Sequence, residues 1–215
     1  MSELTLHNYF RSSTSIRVRI ALALKGLDYD YVAWNLREGA QQTPEYLAIN
    51  PHGVVPTLVV DGQALTQSIP IIEYLEQTVP DPALLPTSPL DRARVRGLAA
   101  MIACDIHPLN NLKVLTYLEV ELGVDTEARA HWFRHWVQMT FGPLEAMLAN
   151  DPRTGQFCHG DKPGLADICL YAQVMNNRRF KIGLEDYPTI ARIYDACSTL
   201  AAFVQGAPEA QPDAS

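Results

Sequence analysis

Apolar and polar positions alternate with period two in "LTLHNYF" (Leu4 to Phe10), which predicts a strand. Ser15 to Lys25 then carries an apolar run of helical length, and Gly26 stands where a helix C-terminus favours glycine. Aromatic and β-branched residues mark "YDYVAW" (Tyr29 to Trp34) as a second strand. The looser segment "LREGAQQTPEYLAINP" leaves room for a short helix over Pro44 to Ala48. "PTLVV" and "DGQAL" meet at Asp61-Gly62, a favoured tight-turn pair, and predict a hairpin. Ser68 to Val79 reads as a helix with Ile69, Ile72 and Leu75 on one side. The order β-α-β, a break, then β-β-α predicts a small mixed sheet with helices packed on it.

The pattern changes after "PDPALLPTSPLD" (Pro80 to Asp91), whose prolines break both helix and strand and predict a linker. From Asp91 to about Phe203 the periodicity is helical. Breaks fall at Gly123, over Asn150 to Gly155, over His159 to Gly164 and over Gly183 to Pro188, giving four or five helices and no strand. The end, "GAPEAQPDAS", has the composition of a flexible terminus. The expected domains are therefore an α/β domain over 1–80, a linker over 81–90, an all-helical domain over 91–205 and a flexible tail over 206–215. No internal repeat is present.

Composition narrows the class. A chain of 215 residues that is 47% apolar suits a packed core in one large domain or two small ones. A net charge of −7 argues against nucleic acid as a partner. No apolar run approaches the roughly 18 residues of a membrane span. "MSELTLHNYF" enters a strand directly, without the form of a signal peptide. Cys104, Cys158, Cys169 and Cys197 show no paired spacing and no CxxC, so reduced thiols in a cytoplasmic protein are expected.

Three features carry candidate chemistry. Ser12, Ser13, Thr14 and Ser15 place four hydroxyls before an apolar helix, with Arg11 in front. One hydroxyl suffices for a cap; the surplus suits an anion at the helix N-terminus, such as a phosphate, carboxylate or thiolate. Pro56 opens a strand in "GVVPTLVV". It is either an ordinary strand-start proline or a cis residue that exposes the Val55 backbone to a peptide-like ligand. Gln67 and Ser68 begin a second helix, with Ser68 either a plain N-cap or part of a site for a carboxylate or an α-amino acid head. A small, anionic, thiol-bearing tripeptide would use all three.

The chain resembles the zeta-class glutathione transferases, and within them the maleylacetoacetate/maleylpyruvate isomerases. The motifs are "SSTSIRVRIALALKG", "NPHGVVPTL", "TQSIPIIEYLE", "CDIHPLNNL" and "RRFKIGLEDYPTI", and the likeness runs from Leu4 to about Pro212. It implies a thioredoxin-like α/β N-terminal domain followed by an all-α C-terminal domain, the glutathione transferase fold, and a homodimer. Three positions depart from the family pattern. Thr14 replaces the cysteine of Ser-Ser-Cys-Ser. His107 stands where many maleylacetoacetate-type members carry glutamine. Gly164 in "GLAD" replaces a Ser or Thr helix cap.

The implied reaction turns a cis double bond trans, with glutathione as a cofactor that is not consumed. A thiolate adds to the conjugated alkene, the resulting single bond rotates, and elimination returns the thiolate. A free thiol ionises with a pKa of about 8.5, so the protein must favour the anion. The resemblance assigns the thiolate to Ser13, supported by Ser12 and Thr14. Gln42, Arg17 and the Val55-Pro56 backbone fall among the glutathione-binding positions, Gln67 and Ser68 take its γ-glutamyl end, and His107 and Asn111 face it from the second domain. His107 could orient glutathione or give a proton to the enolate. The substrate's two carboxylates call for cations: Arg11 and Arg179, with Lys113 a weaker candidate and Arg178 a solvated neighbour. Asp167 fits a buried capping carboxylate, and His131 and His135 lack the further ligands of a metal site. Alternatives are a glutathione transferase that conjugates or dehalogenates small electrophiles, and a non-catalytic glutathione-binding module. The arginines favour the isomerase over the first, and the Ser12-Ser13 pair argues against the second.

Overall fold

The computed structural model describes residues 3–214, which form two compact units, Met1–Leu84 with Thr199–Ser215, and Leu85–Ser198. The first unit begins with β1 (Leu4–Asn8), α1 (Ser13–Leu24) and β2 (Asp30–Ala33). A 3₁₀ turn (Ala40–Gln42) leads to α2 (Pro44–Ile49), and the hairpin β3 (Thr57–Val60) and β4 (Gln63–Thr66) leads to α3 (Ser68–Thr78). The sheet order is β2-β1-β3-β4. β1 and β2 are parallel, as the α1 crossover requires, with Leu6 opposite Tyr31; β3 is antiparallel to both its neighbours. Asp61 and Gly62 both take positive φ at the hairpin, the geometry that Asp-Gly favours. In α3 the buried apolar residues are Ile71, Ile72 and Leu75, so Ile71 takes the core position expected of Ile69.

Helix α1 is buried almost all round, with Arg17 and Arg19 each only 1% exposed. One cause is the chain's end. α10 (Ala201–Gly206) packs on α1, so closely that a Cβ on Gly206 would collide with Ile20. A 3₁₀ turn (Pro208–Ala210) follows, and the Gln211 amide donates to Gln205 O at 2.6 Å and Ala207 O at 2.7 Å. The expected flexible tail over 206–215 is thus corrected for the described residues: they dock on the first unit. Small residues and prolines mimic a disordered composition, while buried Phe203 and Ala207 provide the anchor. The stretch 80–88 has neither helix nor strand, but it too is tied down. Lys25 Nζ donates to Glu76 Oε2 and to Pro82 O, each at 2.7 Å, and Glu76 also accepts from Leu84 N at 2.8 Å.

The second unit is helical among the described residues. Its helices are α4 (Pro89–Ala100), α5 (His107–Asn110), α6 (Leu112–Val120), α7 (Thr126–Asn150), α8 (Leu165–Arg178) and α9 (Pro188–Ser198). Pro89 opens α4, where its missing N–H costs nothing. α8 is buried from Leu165 to Asn177 and packs against α4 and α9. Asp167 caps it as expected, accepting from Gly164 N at 2.8 Å and from Cys158 N at 2.7 Å. Between α4 and α5 the helix widens into a π segment, Met101–Ile106, in which His107 N–H reaches back to Ile102 O. Pro108 supplies a reason, since it has no N–H for the carbonyl of Cys104 and its ring would crowd it.

In the first unit, His7 Nδ1 accepts the Trp34 indole N–H at 3.0 Å, and burial lowers the pKa of His7 below its usual 6.5. The folded state therefore binds fewer protons than the unfolded state just below pH 6.5. The His7 contribution is present above that pH and is lost as pH falls toward its folded pKa. A denaturant midpoint measured against pH should fall below 6.5 in the parent chain, and this part of the fall should vanish in His7→Gln.

Candidate active site

Four residues, Tyr9 to Ser12, turn the chain from β1 into α1, closed by Ser12 N–H on Tyr9 O at 3.0 Å. Ser12 is the N-cap, and its Oγ accepts from Ser15 N at 3.2 Å. Thr14 Oγ1 lies 2.8 Å from Ser12 Oγ and donates to the carbonyl of Val55 at 2.9 Å. A hydroxyl has one hydrogen. Thr14 uses its own on Val55, so Ser12 is the donor between the two hydroxyls. A directed chain results, from Ser15 N–H through Ser12 and Thr14 to Val55 O. Ser12 is half-buried at the helix end, whereas Ser13 is only 4% exposed.

The Val55-Pro56 bond is cis, Val55 is buried, and its carbonyl is the one that accepts from Thr14. The residues around it are braced from behind. Tyr46 Oη donates to Val54 O at 2.6 Å, and Asn50 Nδ2 donates to the same carbonyl at 2.8 Å. Gln42 Nε2 donates to Gly53 O at 3.0 Å. Gly53 has φ +63°, and a Cβ there would meet the Gln42 amide.

The second helix start differs from expectation. Gln67, not Ser68, is the N-cap of α3, with φ +68° and ψ 125°. A non-glycine residue in that region is strained, and strain of this kind collects where ligands are clamped. Ser68 is the first helical residue, and its buried Oγ accepts from Arg17 Nη1 at 3.3 Å. Arg17 therefore braces one helix start from inside the other. Arg11 lies half-buried with its guanidinium 4.9 Å from the centre of the Phe10 ring.

The remaining predicted residues belong to the second unit. His107 follows the π segment and is half-buried. Asn111 caps α6: its Oδ1 accepts from Val114 N at 3.0 Å and its Nδ2 donates to Pro108 O at 3.0 Å. Lys113 is exposed on the first turn of α6. Arg179 is exposed just past α8 and donates to Asn176 Oδ1 at 3.2 Å. Arg178 is exposed but is not merely solvated, since it donates to Tyr194 Oη at 2.9 Å.

Sequence reasoning missed Arg19 and Asp213. Arg19 donates to Asn8 Oδ1 (2.8 Å), Tyr9 O (3.3 Å), Phe10 O (2.9 Å) and Gly206 O (3.1 Å), and burial lowers its pKa to about 10. Its place inside the apolar run after Ser15 was a usable signal; nothing local marked Asp213.

A family model described as the glutathione S-transferase N-terminal domain matches residues 11–78. A maleylacetoacetate isomerase of Pseudomonas aeruginosa is 47% identical over 211 residues, 97% of each chain. The holo structure of a maleyl pyruvate isomerase, a bacterial zeta-class glutathione S-transferase, superposes with a TM-score of 0.96 at 45% identity, covering 98% of this chain and 100% of that one. A crystal structure of maleylacetoacetate isomerase from Anaeromyxobacter dehalogenans 2CP-1 has dicarboxyethyl glutathione and citrate bound in the active site. It matches with a TM-score of 0.88 at 40% identity over the whole of both chains. With near-complete coverage at this identity, the chain belongs to the zeta-class glutathione transferases, in the family of the maleylacetoacetate and maleylpyruvate isomerases.

Proposed function

We propose that the protein is a glutathione-dependent isomerase that converts maleylacetoacetate or maleylpyruvate to the fumaryl isomer. The observation that carries this reading is the hydroxyl chain at the start of α1, ending on the carbonyl before the cis proline. Glutathione fits these residues: the Val55 backbone matches a peptide unit, the strained Gln67 and buried Ser68 match an amino acid head, and Ser12 matches a thiol. The relative that holds dicarboxyethyl glutathione supports the same chemistry, since that compound has the composition of glutathione added across an unsaturated dicarboxylic acid. Glutathione supplies the sulfur nucleophile that makes the double bond temporarily single.

The chain's own residues do the rest. Ser12 Oγ–H turns from Thr14 Oγ1 to the sulfur, and the first N–H groups of α1 add a positive dipole end. Ser12 carries this role rather than Ser13, because a sulfur anion arriving from solvent meets the half-buried hydroxyl and not the covered one. Thr14 keeps its hydrogen on Val55 O and so holds that carbonyl in line. Arg11 and Arg179 supply planar forks for carboxylates, with Lys113 a further cation. His107, by the resemblance, either orients glutathione or lends a proton to the developing enolate oxygen and takes it back as the thiolate leaves. The cytoplasmic location expected from the cysteine spacing and the homodimer implied by the resemblance are part of this reading; no helix among the described residues is long and apolar enough to cross a membrane.

A spectrophotometric assay with maleylpyruvate and with maleylacetoacetate, each with and without glutathione, tests the proposal. Rapid, glutathione-dependent formation of the fumaryl isomer is expected, and the ratio of kcat/KM values identifies the preferred substrate. The two substrates differ by one methylene, so that ratio should lie within the range set by about 1–3 kcal/mol. Glutathione binding with no isomerisation of either would overturn the reading in favour of a conjugating or dehalogenating transferase.

A further inference from the structure

The turn that presents Ser12 is held by the far end of the chain. Phe10 N–H donates to Asp213 Oδ2 at 3.1 Å, and Asp213 Oδ1 accepts a hydrogen bond from Tyr31 Oη on β2. The carbonyls of Tyr9 and Phe10, on the other side of the same turn, accept from the guanidinium of Arg19, which also holds Gly206 O at the end of α10. Each polar backbone group of Phe10 is thus taken by a charged side chain, one from the tail and one from α1. Gln211, two residues before Asp213, fixes the tail to the carbonyls of Gln205 and Ala207. Tyr31 ties Asp213 to the sheet, and burial and this hydrogen bond push the Tyr31 pKa well up, which keeps it a donor. Ser12 follows Phe10 by two residues and closes the turn on Tyr9 O.

We propose that Asp213 is a positioning residue for the thiolate site: its carboxylate fixes the Phe10 amide, and with it the turn that aims the Ser12 hydroxyl. The inference rests on the reading of Ser12 as the thiol-facing donor. Asp213 touches neither sulfur nor substrate; it acts through the backbone of the turn. An error of ångström size in such a turn is felt in the chemistry, because donor geometry decides how strongly an anion is held.

The test compares the full chain with Asp213→Ala, Asp213→Asn and Tyr31→Phe. Three readouts are needed: hydrogen exchange at the Phe10 amide, titration of the bound glutathione thiol by its ultraviolet thiolate absorbance, and kcat and KM for glutathione-dependent isomerisation. In Asp213→Ala the Phe10 amide should exchange at least about tenfold faster, with the β1 amides unchanged. The thiol pKa should rise, and kcat/KM should fall by about tenfold or more. Asp213→Asn keeps an oxygen acceptor for Phe10 and should restore most of both effects. Tyr31→Phe keeps the Phe10 contact and should lie between the parent and Asp213→Ala. If Asp213→Ala lowers only the melting temperature, with thiol titration and KM as in the parent, the tail is a fold anchor and the proposal falls. If the parent chain itself neither depresses the thiol pKa nor isomerises, the reading of the site falls and this inference falls with it, a result distinct from a parent that works and a variant that matches it.

Discussion

Ser12→Ala should lower kcat/KM for isomerisation by about 10²- to 10³-fold, the usual cost of losing one donor to a reacting anion. The loss should follow the sulfur. Titration of bound glutathione should show its thiol pKa rising toward the free value of about 8.5, each unit reflecting about 1.4 kcal/mol of lost preference for the anion. Removing Ser12 Oγ also removes the cap on Ser15 N–H, at about 1 kcal/mol of stability. Ser12→Gly separates the two effects, since glycine costs a cap only a few tenths of a kcal/mol. Both variants should lose activity alike while differing in thermal midpoint. Thr14→Val keeps Ser12 and removes the hydroxyl on Val55 O, so its thiol should titrate close to the parent's while KM for glutathione rises. Ser13→Ala is the decisive comparison: a loss equal to that of Ser12→Ala would move the sulfur to Ser13, as the family motif alone suggested.

The largest stability effect should come from Glu76→Ala, which leaves Lys25 charged with its side chain fully covered and the Pro82 carbonyl as its remaining side-chain hydrogen-bond partner among the described residues. Breaking a buried ion pair from one side costs about 3–5 kcal/mol. That is a large share of the 5–15 kcal/mol that holds a typical domain together. The Leu84 amide also loses its acceptor, so the stretch after α3 should loosen with it. Replacing both partners, Lys25→Met with Glu76→Leu, removes the stranded charge and should recover part of the loss, while the Leu84 amide and the Pro82 carbonyl stay without the partners they had. Denaturant midpoints of the parent, the single and the double variants check this.

Local signals carried much of the fold. Asp61-Gly62 announced its turn and the run after Ser15 its helix, because each rests on the backbone preferences of adjacent residues; Pro56 was expected to open β3, which begins one residue later at Thr57. The hydroxyl block at Ser12 to Ser15 likewise marked the candidate site, because surplus hydroxyls at a helix start are a local signal. What stayed hidden depends on residues far apart in the chain. Lys25 and Glu76 are 51 positions apart, and Phe10 and Asp213 are 203 apart. Nothing in "GAPEAQPDAS" distinguishes a docked end from a free one, since its anchors are single residues such as Gln211 and Asp213 rather than a periodic face. Asn111, expected to face glutathione, also caps α6 through its side chain, a use the sequence did not separate from a contact because both draw on the same residue type.

The docking of Thr199–Ser215 on the first unit has a consequence for synthesis. The ribosome delivers β1, α1 and the hairpin early, yet α1 then lacks the helix that covers it, and the Gly206 carbonyl that Arg19 binds does not yet exist. Arg19 must wait with part of its fork unmatched while all of Leu85–Ser198 is made. The first unit to emerge is thus the last to be completed, and a nascent chain arrested before residue 199 should expose the α1 surface to chaperones even though its sheet residues are all present.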